Sequence, residues 1–310
     1  MKILTVTLNP AFDLHAKADR MAIESENFAT PTLREAGGKG VNVARALFST
    51  GERCLAFVLL GEENGAEFAE ALEKDGLSIC SVTVPGRIRE NLTIHVAGEK
   101  ETRISLSSPL SLQGRLQEIR LLLCDRTDPG DVVLLAGSLP DGCDKEAVLQ
   151  MLFALRERGA RIAVDCRSFS AEELVRIRPW LIKPNAEELS VLCDSPVRTQ
   201  KEALLCARAL SQRGIENVLV TRGGEESLLV CGEGVFSARP PRIAVCSTVG
   251  AGDSSVAGFL SAYAKGESSA ACLRRAVAYG SAACLREGTA PPEKHAVEAL
   301  LPEIDVEEWK

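Results

Sequence analysis

The strongest pattern in the sequence, for fold and chemistry alike, is Cys246-Ser247-Thr248-Val249-Gly250-Ala251-Gly252-Asp253-Ser254-Ser255-Val256-Ala257-Gly258-Phe259. Two glycines flank an alanine just before an amphipathic helical pattern, so the stretch predicts a loop that turns directly into a helix. The first N–H groups of a helix have no partner within it, and together with the helix dipole they favour an anion. We therefore expect the backbone of Gly250, Ala251 and Gly252 to form an anion site.

Asp253 stands at the start of this predicted helix, beside the expected anion site. One interpretation is a helix cap that accepts hydrogen bonds from the helix's own N–H groups. The other is a general base, which takes the proton of a hydroxyl during phosphoryl transfer while the anion site stabilises charge on the transferred group. Ser254 and Ser255 are also able to cap the helix. We therefore predict that Asp253 is catalytic.

A second glycine-rich stretch, Glu35-Ala36-Gly37-Gly38-Lys39-Gly40-Val41-Asn42-Val43-Ala44-Arg45-Ala46-Leu47, also leads into a helical pattern. It matches neither the P-loop of nucleotide-binding proteins nor the dinucleotide-binding fingerprint. Two interpretations remain open. The stretch is either a tight strand-to-helix turn with a solvated lysine, or a site where Lys39 and Asn42 bind the hydroxyls and phosphate of a sugar.

A third stretch, Lys183-Pro184-Asn185-Ala186-Glu187-Glu188-Leu189, ends a predicted strand and begins a helix. Asn185 followed by Glu188 three residues later is typical of a capping box. The same carboxylate also suits a place near Mg²⁺, which proteins usually hold through retained water molecules. The pattern alone does not choose between these roles.

Strand-like and helical patterns alternate along most of the chain. Strands are predicted over residues 3–8, 54–60, 131–136, 162–165, 181–183, 217–221 and 227–231, and helices over 40–49, 66–74, 145–158, 201–213, 254–264 and 270–286. This order predicts an α/β fold with a mostly parallel β-sheet covered by helices on both faces. The runs 79–84, 91–97 and 102–106 have no helix between them and predict a small antiparallel β-sheet, placed to act as a lid.

Composition excludes several kinds of partner. The chain has 310 residues, and 43 acidic against 36 basic side chains give a net charge of −7, which argues against nucleic acid or an acidic membrane surface. The longest apolar run, 54–60, is too short for a membrane helix. The 11 cysteines are odd in number and lack any metal-ligand spacing, so we expect free thiols in a reducing cytoplasm.

Taken together, these stretches resemble the signatures of the ribokinase-like (PfkB) carbohydrate kinases. The order of landmarks agrees over residues 9–259: Asn9-Pro10-Ala11-Phe12-Asp13, Gly-Gly-Lys-Gly, the small sheet, Gly137-Ser138-Leu139-Pro140, Lys-Pro-Asn-x-x-Glu and Gly-Ala-Gly-Asp. The resemblance implies one ribokinase-like domain over 1–310, with a lid from about 12–34 and 79–107 inserted in it. It also implies a homodimer formed through the lid.

Within this family the chain looks most like the branch that acts on hexose phosphates. That likeness implies ATP-dependent phosphorylation of a ketohexose monophosphate, with ATP and Mg²⁺ as cofactors and fructose 1-phosphate as the favoured substrate. Tagatose 6-phosphate and fructose 6-phosphate remain the alternatives among substrates. A catalytically silent sensor of sugar phosphates is the remote alternative to a kinase.

The resemblance also assigns roles to residues that match the family's motifs. It places Asp253 as the base and Gly250, Ala251 and Gly252 as the anion hole. The implied sugar ligands are Asp13, Gly38, Lys39 and Asn42, with Arg89, Arg103 and Ser138 on the phosphate that the sugar already carries. The implied nucleotide ligands are Lys183, Asn185, Thr221, Arg222, Gly223 and Gly224, with Glu188 near Mg²⁺ through water.

Overall fold

A computed structural model of the chain describes residues 1–99, 101–107 and 109–309. Its strands are β1 (Ile3–Thr7), β2 (Ala11–Ala18), β3 (Thr30–Gly37), β4 (Cys54–Gly61), β5 (Ser78–Val84), β6 (Arg89–Val96), β7 (Thr102–Ser105), β8 (Val132–Ala136), β9 (Arg161–Asp165), β10 (Leu181–Ile182), β11 (Asn217–Val220), β12 (Ser227–Cys231), β13 (Gly234–Ala238) and β14 (Val306–Trp309). Its helices are α1 (Lys39–Ser49), α2 (Gly65–Lys74), α3 (Leu116–Arg126), α4 (Lys145–Glu157), α5 (Ala171–Ile177), α6 (Ala186–Leu192), α7 (Gln200–Gln212), α8 (Ala251–Ala264), α9 (Ser269–Ala283) and α10 (Lys294–Leu300), followed by a 3₁₀ turn over Leu301–Glu303.

Ten of the described strands form one large sheet in the order β14-β13-β12-β11-β10-β9-β8-β1-β4-β5. Neighbours from β5 to β11 run parallel, and β12, β13 and β14 add an antiparallel edge. Because parallel neighbours need a crossover, helices lie between these strands along the chain. The predicted α/β fold with a mostly parallel sheet is confirmed.

The central strands are buried on both faces, as their continuous apolar sequences require. Along β8, Val133 and Leu135 belong to one hydrophobic core, whereas Val132 and Leu134 belong to a second. This alternation shows that a separate core packs against each face of the sheet. Tyr279 is the largest fully buried side chain, and its hydroxyl donates to Thr50 Oγ1 at 2.9 Å.

A second sheet has the strand order β3-β2-β6-β7. The predicted lid from residue 79 is wrong in its first part, because β5 pairs in parallel with β4 at the edge of the large sheet. Residues 79–84 instead lie in β5, the second strand of a βαβ unit in which α2 is the crossover helix. The small sheet is also not purely antiparallel, since β2 and β6 run parallel. Lys100, within the predicted lid segment, lies outside the described residues.

The carboxyl ends of β1, β8, β9, β10 and β11 meet at one edge of the large sheet, since these strands are parallel. Ligands of open α/β sheets bind at such edges. Here the small sheet stands opposite, and a cavity of about 1410 Å³ is lined by residues of both sheets.

Within the described part of the chain, no helix combines the length and apolar character needed to cross a membrane.

Candidate active site

The start of α8 forms one side of this cavity. Gly250 precedes the helix with φ 77°, a left-handed conformation that glycine adopts without steric cost. No side chain caps this helix, so the interpretation of Asp253 as a cap is wrong. The first N–H groups of α8 are therefore left without a side-chain partner, as an anion site requires.

Asp253 is buried in the first turn of α8, and its Oδ2 accepts a hydrogen bond from Asn42 Nδ2 at 2.8 Å. Burial raises the pKa of Asp253, the nearby Lys39 opposes this, the Asp165 carboxylate adds to the rise, and the Asn42 hydrogen bond and Lys183 oppose it, with a net pKa of about 6. A carboxylate with this pKa is ionised at neutral pH yet basic enough to accept a proton.

Lys39 lies at the start of α1, opposite Asp253. Its Nζ is 2.9 Å from Asp165 Oδ1 and 3.6 Å from Glu188 Oε1. Burial lowers the pKa of this amine, but the Asp165, Asp253 and Glu188 carboxylates outweigh burial and raise the pKa above its usual value. The interpretation of Lys39 as a merely solvated lysine is therefore wrong.

Asn185 and Glu188 form the predicted capping box at the start of α6. Asn185 Oδ1 accepts from the Glu188 N–H at 2.8 Å, and Glu188 Oε2 accepts from the Asn185 N–H at 3.0 Å. The other carboxylate oxygen, Oε1, faces Lys39 in the cavity. One oxygen of Glu188 is thus structural, while the second is available to the site.

The small sheet supplies the opposite wall. Asp13 on β2 is buried, and its Oδ1 accepts from Asn91 Nδ2 at 2.8 Å and from Arg103 Nη2 at 3.0 Å. A Cβ at Gly37 would lie 2.3 Å from Asp13 Oδ2, so a larger residue there would displace the Asp13 carboxylate. Arg89 donates from Nη1 to the carbonyl oxygen of Leu106 at 3.1 Å, while its buried Nε has no hydrogen-bond partner.

Two further segments complete the cavity. After β8, Ser138 Oγ accepts from Asn9 Nδ2 at 2.9 Å, which ties this turn to the end of β1. After β11, the turn from Thr221 to Gly224 lines the far end, and Thr221 forms a parallel bridge with Asn185. Lys183 lies between these ends, with its Nζ 3.6 Å from Asp165 Oδ2.

Every residue that the sequence assigned to catalysis, sugar, nucleotide or magnesium lines this one cavity. Sequence reasoning missed the Asp165 carboxylate, although its position at the end of a predicted strand was a usable signal. It also missed Asn91, which holds Asp13, and Arg167, which lies in the cavity wall.

Among the described residues, no group of three or more His, Cys, Asp or Glu side chains is placed to hold a metal ion without other ligands.

A buried carboxylate at an uncapped helix start, with basic side chains in the same cavity, suits phosphoryl transfer to a hydroxyl group. The chain belongs to the pfkB family of carbohydrate kinases, whose sequence pattern matches residues 11–296. Sugar kinases of this family use ATP.

Individual relatives agree over nearly the whole chain. A 1-phosphofructokinase of Haemophilus influenzae is 30% identical, covering 98% of this chain and 97% of the relative. A 1-phosphofructokinase of Bacillus subtilis is also 30% identical, covering 98% and 99%. Among solved structures, phosphofructokinase-2 from Escherichia coli in complex with substrates and products superposes with a TM-score of 0.90 at 27% identity, covering 98% of this chain and 99% of that chain.

Proposed function

We propose that this kinase transfers the γ-phosphoryl group of ATP to fructose 1-phosphate and yields fructose 1,6-bisphosphate. The observation that carries the proposal is a single cavity in which Asp253, at the anion-binding start of α8, shares space with the arginines of the small sheet. Such a cavity suits an acceptor that already carries a phosphate. The shared name of the relatives from Haemophilus influenzae and Bacillus subtilis supports the choice of substrate.

In the proposed reaction, Asp253 accepts the proton of a sugar hydroxyl as that oxygen attacks phosphorus. The new O–P bond forms while the bond from phosphorus to the leaving ADP oxygen breaks. The N–H groups of Gly250, Ala251 and Gly252 stabilise the charge on the transferred group. Because Asn42 donates to Asp253 Oδ2, the other carboxylate oxygen is left for the substrate hydroxyl.

On the sugar side, Asp13, Gly38, Lys39 and Asn42 orient the hydroxyls, and Arg89, Arg103 and Ser138 bind the existing phosphate. Asp13 suits this role because Asn91 and Arg103 both engage its Oδ1, so its second oxygen remains for a hydroxyl. Orienting the acceptor in this way lowers the entropic cost of reaching the transition state.

On the nucleotide side, Lys183, Asn185 and the turn Thr221, Arg222, Gly223 and Gly224 bind ATP. Glu188 fits the magnesium that accompanies ATP, because Oε2 is used in the capping box and Oε1 faces the cavity. Mg²⁺ usually keeps several waters and binds substrate phosphates with one or two protein carboxylates. The ion would neutralise charge on the phosphates, and Glu188 would hold it through water.

Fructose 6-phosphate is a second candidate acceptor. Phosphofructokinase-2 from Escherichia coli in complex with fructose-6-phosphate has a TM-score of 0.90 and 26% identity with this chain, covering 97% of this chain and 98% of that chain. Both acceptors present a primary hydroxyl at one end and a phosphate at the other. Tagatose 6-phosphate meets the same requirement and stays the third candidate.

A homodimer through the small sheet is the expected assembly. Large apolar side chains are exposed on this sheet and its connections, where a second copy would cover them: Ile23, Phe28, Leu33, Ile104 and Leu106. A similar protein, phosphofructokinase-2 from Escherichia coli, has been solved in a tetrameric inhibited form. A cytoplasmic location stays the expectation from the sequence.

The test is ADP release measured with fructose 1-phosphate, fructose 6-phosphate, tagatose 6-phosphate and unphosphorylated fructose as acceptors. We expect the highest kcat/KM for fructose 1-phosphate and the lowest for fructose. A tenfold preference for tagatose 6-phosphate or fructose 6-phosphate would overturn the choice of substrate. Equal activity with fructose would overturn the assignment of the arginines to a phosphate.

A further inference from the structure

Arg167 lies in the cavity wall, two residues beyond the carboxyl end of β9. Hydrogen bonds fix the turn that carries it. The Gly137 N–H donates to the carbonyl oxygen of Asp165 at 2.9 Å, and Ser168 Oγ accepts from the Leu139 N–H at 3.1 Å. These bonds join the turn after β9 to the turn after β8, so Arg167 is held beside the segment that contains Ser138.

Arg167 is an exposed residue that lines the cavity. Within residues 1–99, 101–107 and 109–309, no carboxylate lies within ion-pair distance of Arg167 or Arg89. Burial lowers the pKa of the Arg89 guanidinium; Asp13 and Asp141 oppose this, and the positive charges of Arg167 and Arg103 lower the pKa further. Arg167 and Arg89 are thus close enough to repel each other.

Arg103 differs from these two arginines, because it pairs with Asp13 at 3.0 Å. Arg89 on the small sheet and Arg167 after β9 therefore line the same cavity, and neither forms an ion pair with a described carboxylate. The buried Nε of Arg89 is also a donor without an acceptor, which is costly unless a ligand supplies one. A phosphate monoester is close to a dianion at neutral pH, and its oxygens match the planar donor fork of arginine.

We propose that Arg167 determines specificity by binding, together with Arg89, the phosphate group that the sugar already carries. This inference rests on the proposed function, since it assigns a further residue to the same acceptor. A sugar without this phosphate would leave the repulsion between Arg89 and Arg167 uncompensated. The residues proposed for the nucleotide, Lys183 and the Thr221 turn, follow β10 and β11, whereas Arg167 follows β9 beside the Ser138 segment.

The test compares Arg167→Gln and Arg167→Lys with the control Arg208→Gln. Arg208 lies on α7, is likewise exposed and pairs with no described carboxylate, but does not line the cavity. For Arg167→Gln we expect KM for fructose 1-phosphate to rise at least about tenfold, with kcat and the KM for ATP within about twofold of the unaltered enzyme. Lysine keeps the charge and should restore part of the affinity, while Arg208→Gln should change nothing.

Calorimetric titration of fructose 1-phosphate without ATP gives a readout independent of turnover. It should show the same loss of affinity in Arg167→Gln. An unchanged KM and affinity in this variant would overturn the proposal, as would a rise confined to the KM for ATP. A lower melting temperature in both Arg167 variants would show a structural role and overturn it too. Failure of the unaltered enzyme to bind any of the three sugar phosphates would instead refute the proposed function itself.

Discussion

The two sides of the cavity handle charge in opposite ways. On the side of the large sheet, Lys39 lies within 4 Å of the Asp165 and Glu188 carboxylates, Lys183 lies within 4 Å of Asp165, and both lysines act on the pKa of Asp253. On the side of the small sheet, Arg89 and Arg103 share the wall, and Asp13 pairs only with Arg103.

This difference separates two tasks. The large-sheet side is arranged before any ligand binds, since its buried groups already hold each other in place. The small-sheet side has surplus positive charge and becomes balanced only when an anion arrives. We therefore expect substitutions among the paired groups of the large-sheet side to lower kcat and substitutions of the cavity arginines to raise the KM for the sugar phosphate.

The largest effect is expected for Asp253→Asn. Asparagine keeps the size and the hydrogen bond with Asn42 but cannot accept the hydroxyl proton, so kcat should fall about 10²- to 10⁴-fold. Steady-state kinetics of ADP release measures this, with ATP binding unchanged. Asp305→Asn, at an exposed position outside the cavity, is the matched control. Near-normal turnover in a folded Asp253→Asn protein would remove Asp253 from the role of base.

The same substitution should stabilise the free protein. The pKa of Asp253 rises from 3.8 to about 6 on folding, so the ionised carboxylate is disfavoured in the folded state. The resulting penalty is fully present above about pH 6 and vanishes below about pH 4. Asp253→Asn should therefore raise the free energy of unfolding by up to about 3 kcal/mol at pH 7.5 and by little at pH 4. Denaturant melts at both values test this, and a loss of stability at pH 7.5 would contradict it.

A smaller effect is expected on the small-sheet side from Arg89→Ala. The loss of one charge-assisted contact with phosphate should raise the KM for fructose 1-phosphate about tenfold, equivalent to about 1.4 kcal/mol. The KM for ATP and kcat should barely move, because the large-sheet side is untouched. Arg208→Ala, outside the cavity, serves as the control. An equal fall in kcat would erase the proposed division between the two sides.

The pH dependence of kcat tests the role of Asp253 on the large-sheet side. Since the pKa of Asp253 is about 6, protonation should remove the base below that value. We expect kcat to fall about tenfold per pH unit below pH 6 and to level off above it. The residual activity of Asp253→Asn should not show this fall, the acidic limb of the pH profile. The profile is measured between pH 5 and 8, and an unchanged limb in the variant would assign the titration to another group.

The sequence was informative where local patterns carry the information. Strand and helix alternation predicted the α/β fold, and the residues placed after predicted strand ends do line one cavity. This worked because parallel strands bring their carboxyl ends to one edge, so residues far apart in the chain meet there. The capping box of Asn185 and Glu188 was likewise visible as a local spacing.

Local patterns failed where the structure depends on distant partners. Lys39 and Asp165 are 126 residues apart, and no spacing indicates their contact. The assignment of β5 to the large sheet depends on its pairing with β4, which its own alternation does not encode. Helix α3 went unpredicted because only Ile119 and Leu123 on it are buried, too few for a clear periodic pattern. The role proposed for Arg167 could not be predicted from the sequence, because the lack of an ion pair depends on the positions of all neighbouring carboxylates.

The most direct test of the account is ³¹P nuclear magnetic resonance of the purified protein with ATP, Mg²⁺ and fructose 1-phosphate. The central claim is that a hydroxyl activated by Asp253 becomes phosphorylated at the end of the sugar opposite the bound phosphate. We expect ADP and fructose 1,6-bisphosphate in equal amounts, with a new phosphate resonance at carbon 6 and almost no inorganic phosphate. Inorganic phosphate as the main product, or a second phosphate at any other carbon, would contradict the account.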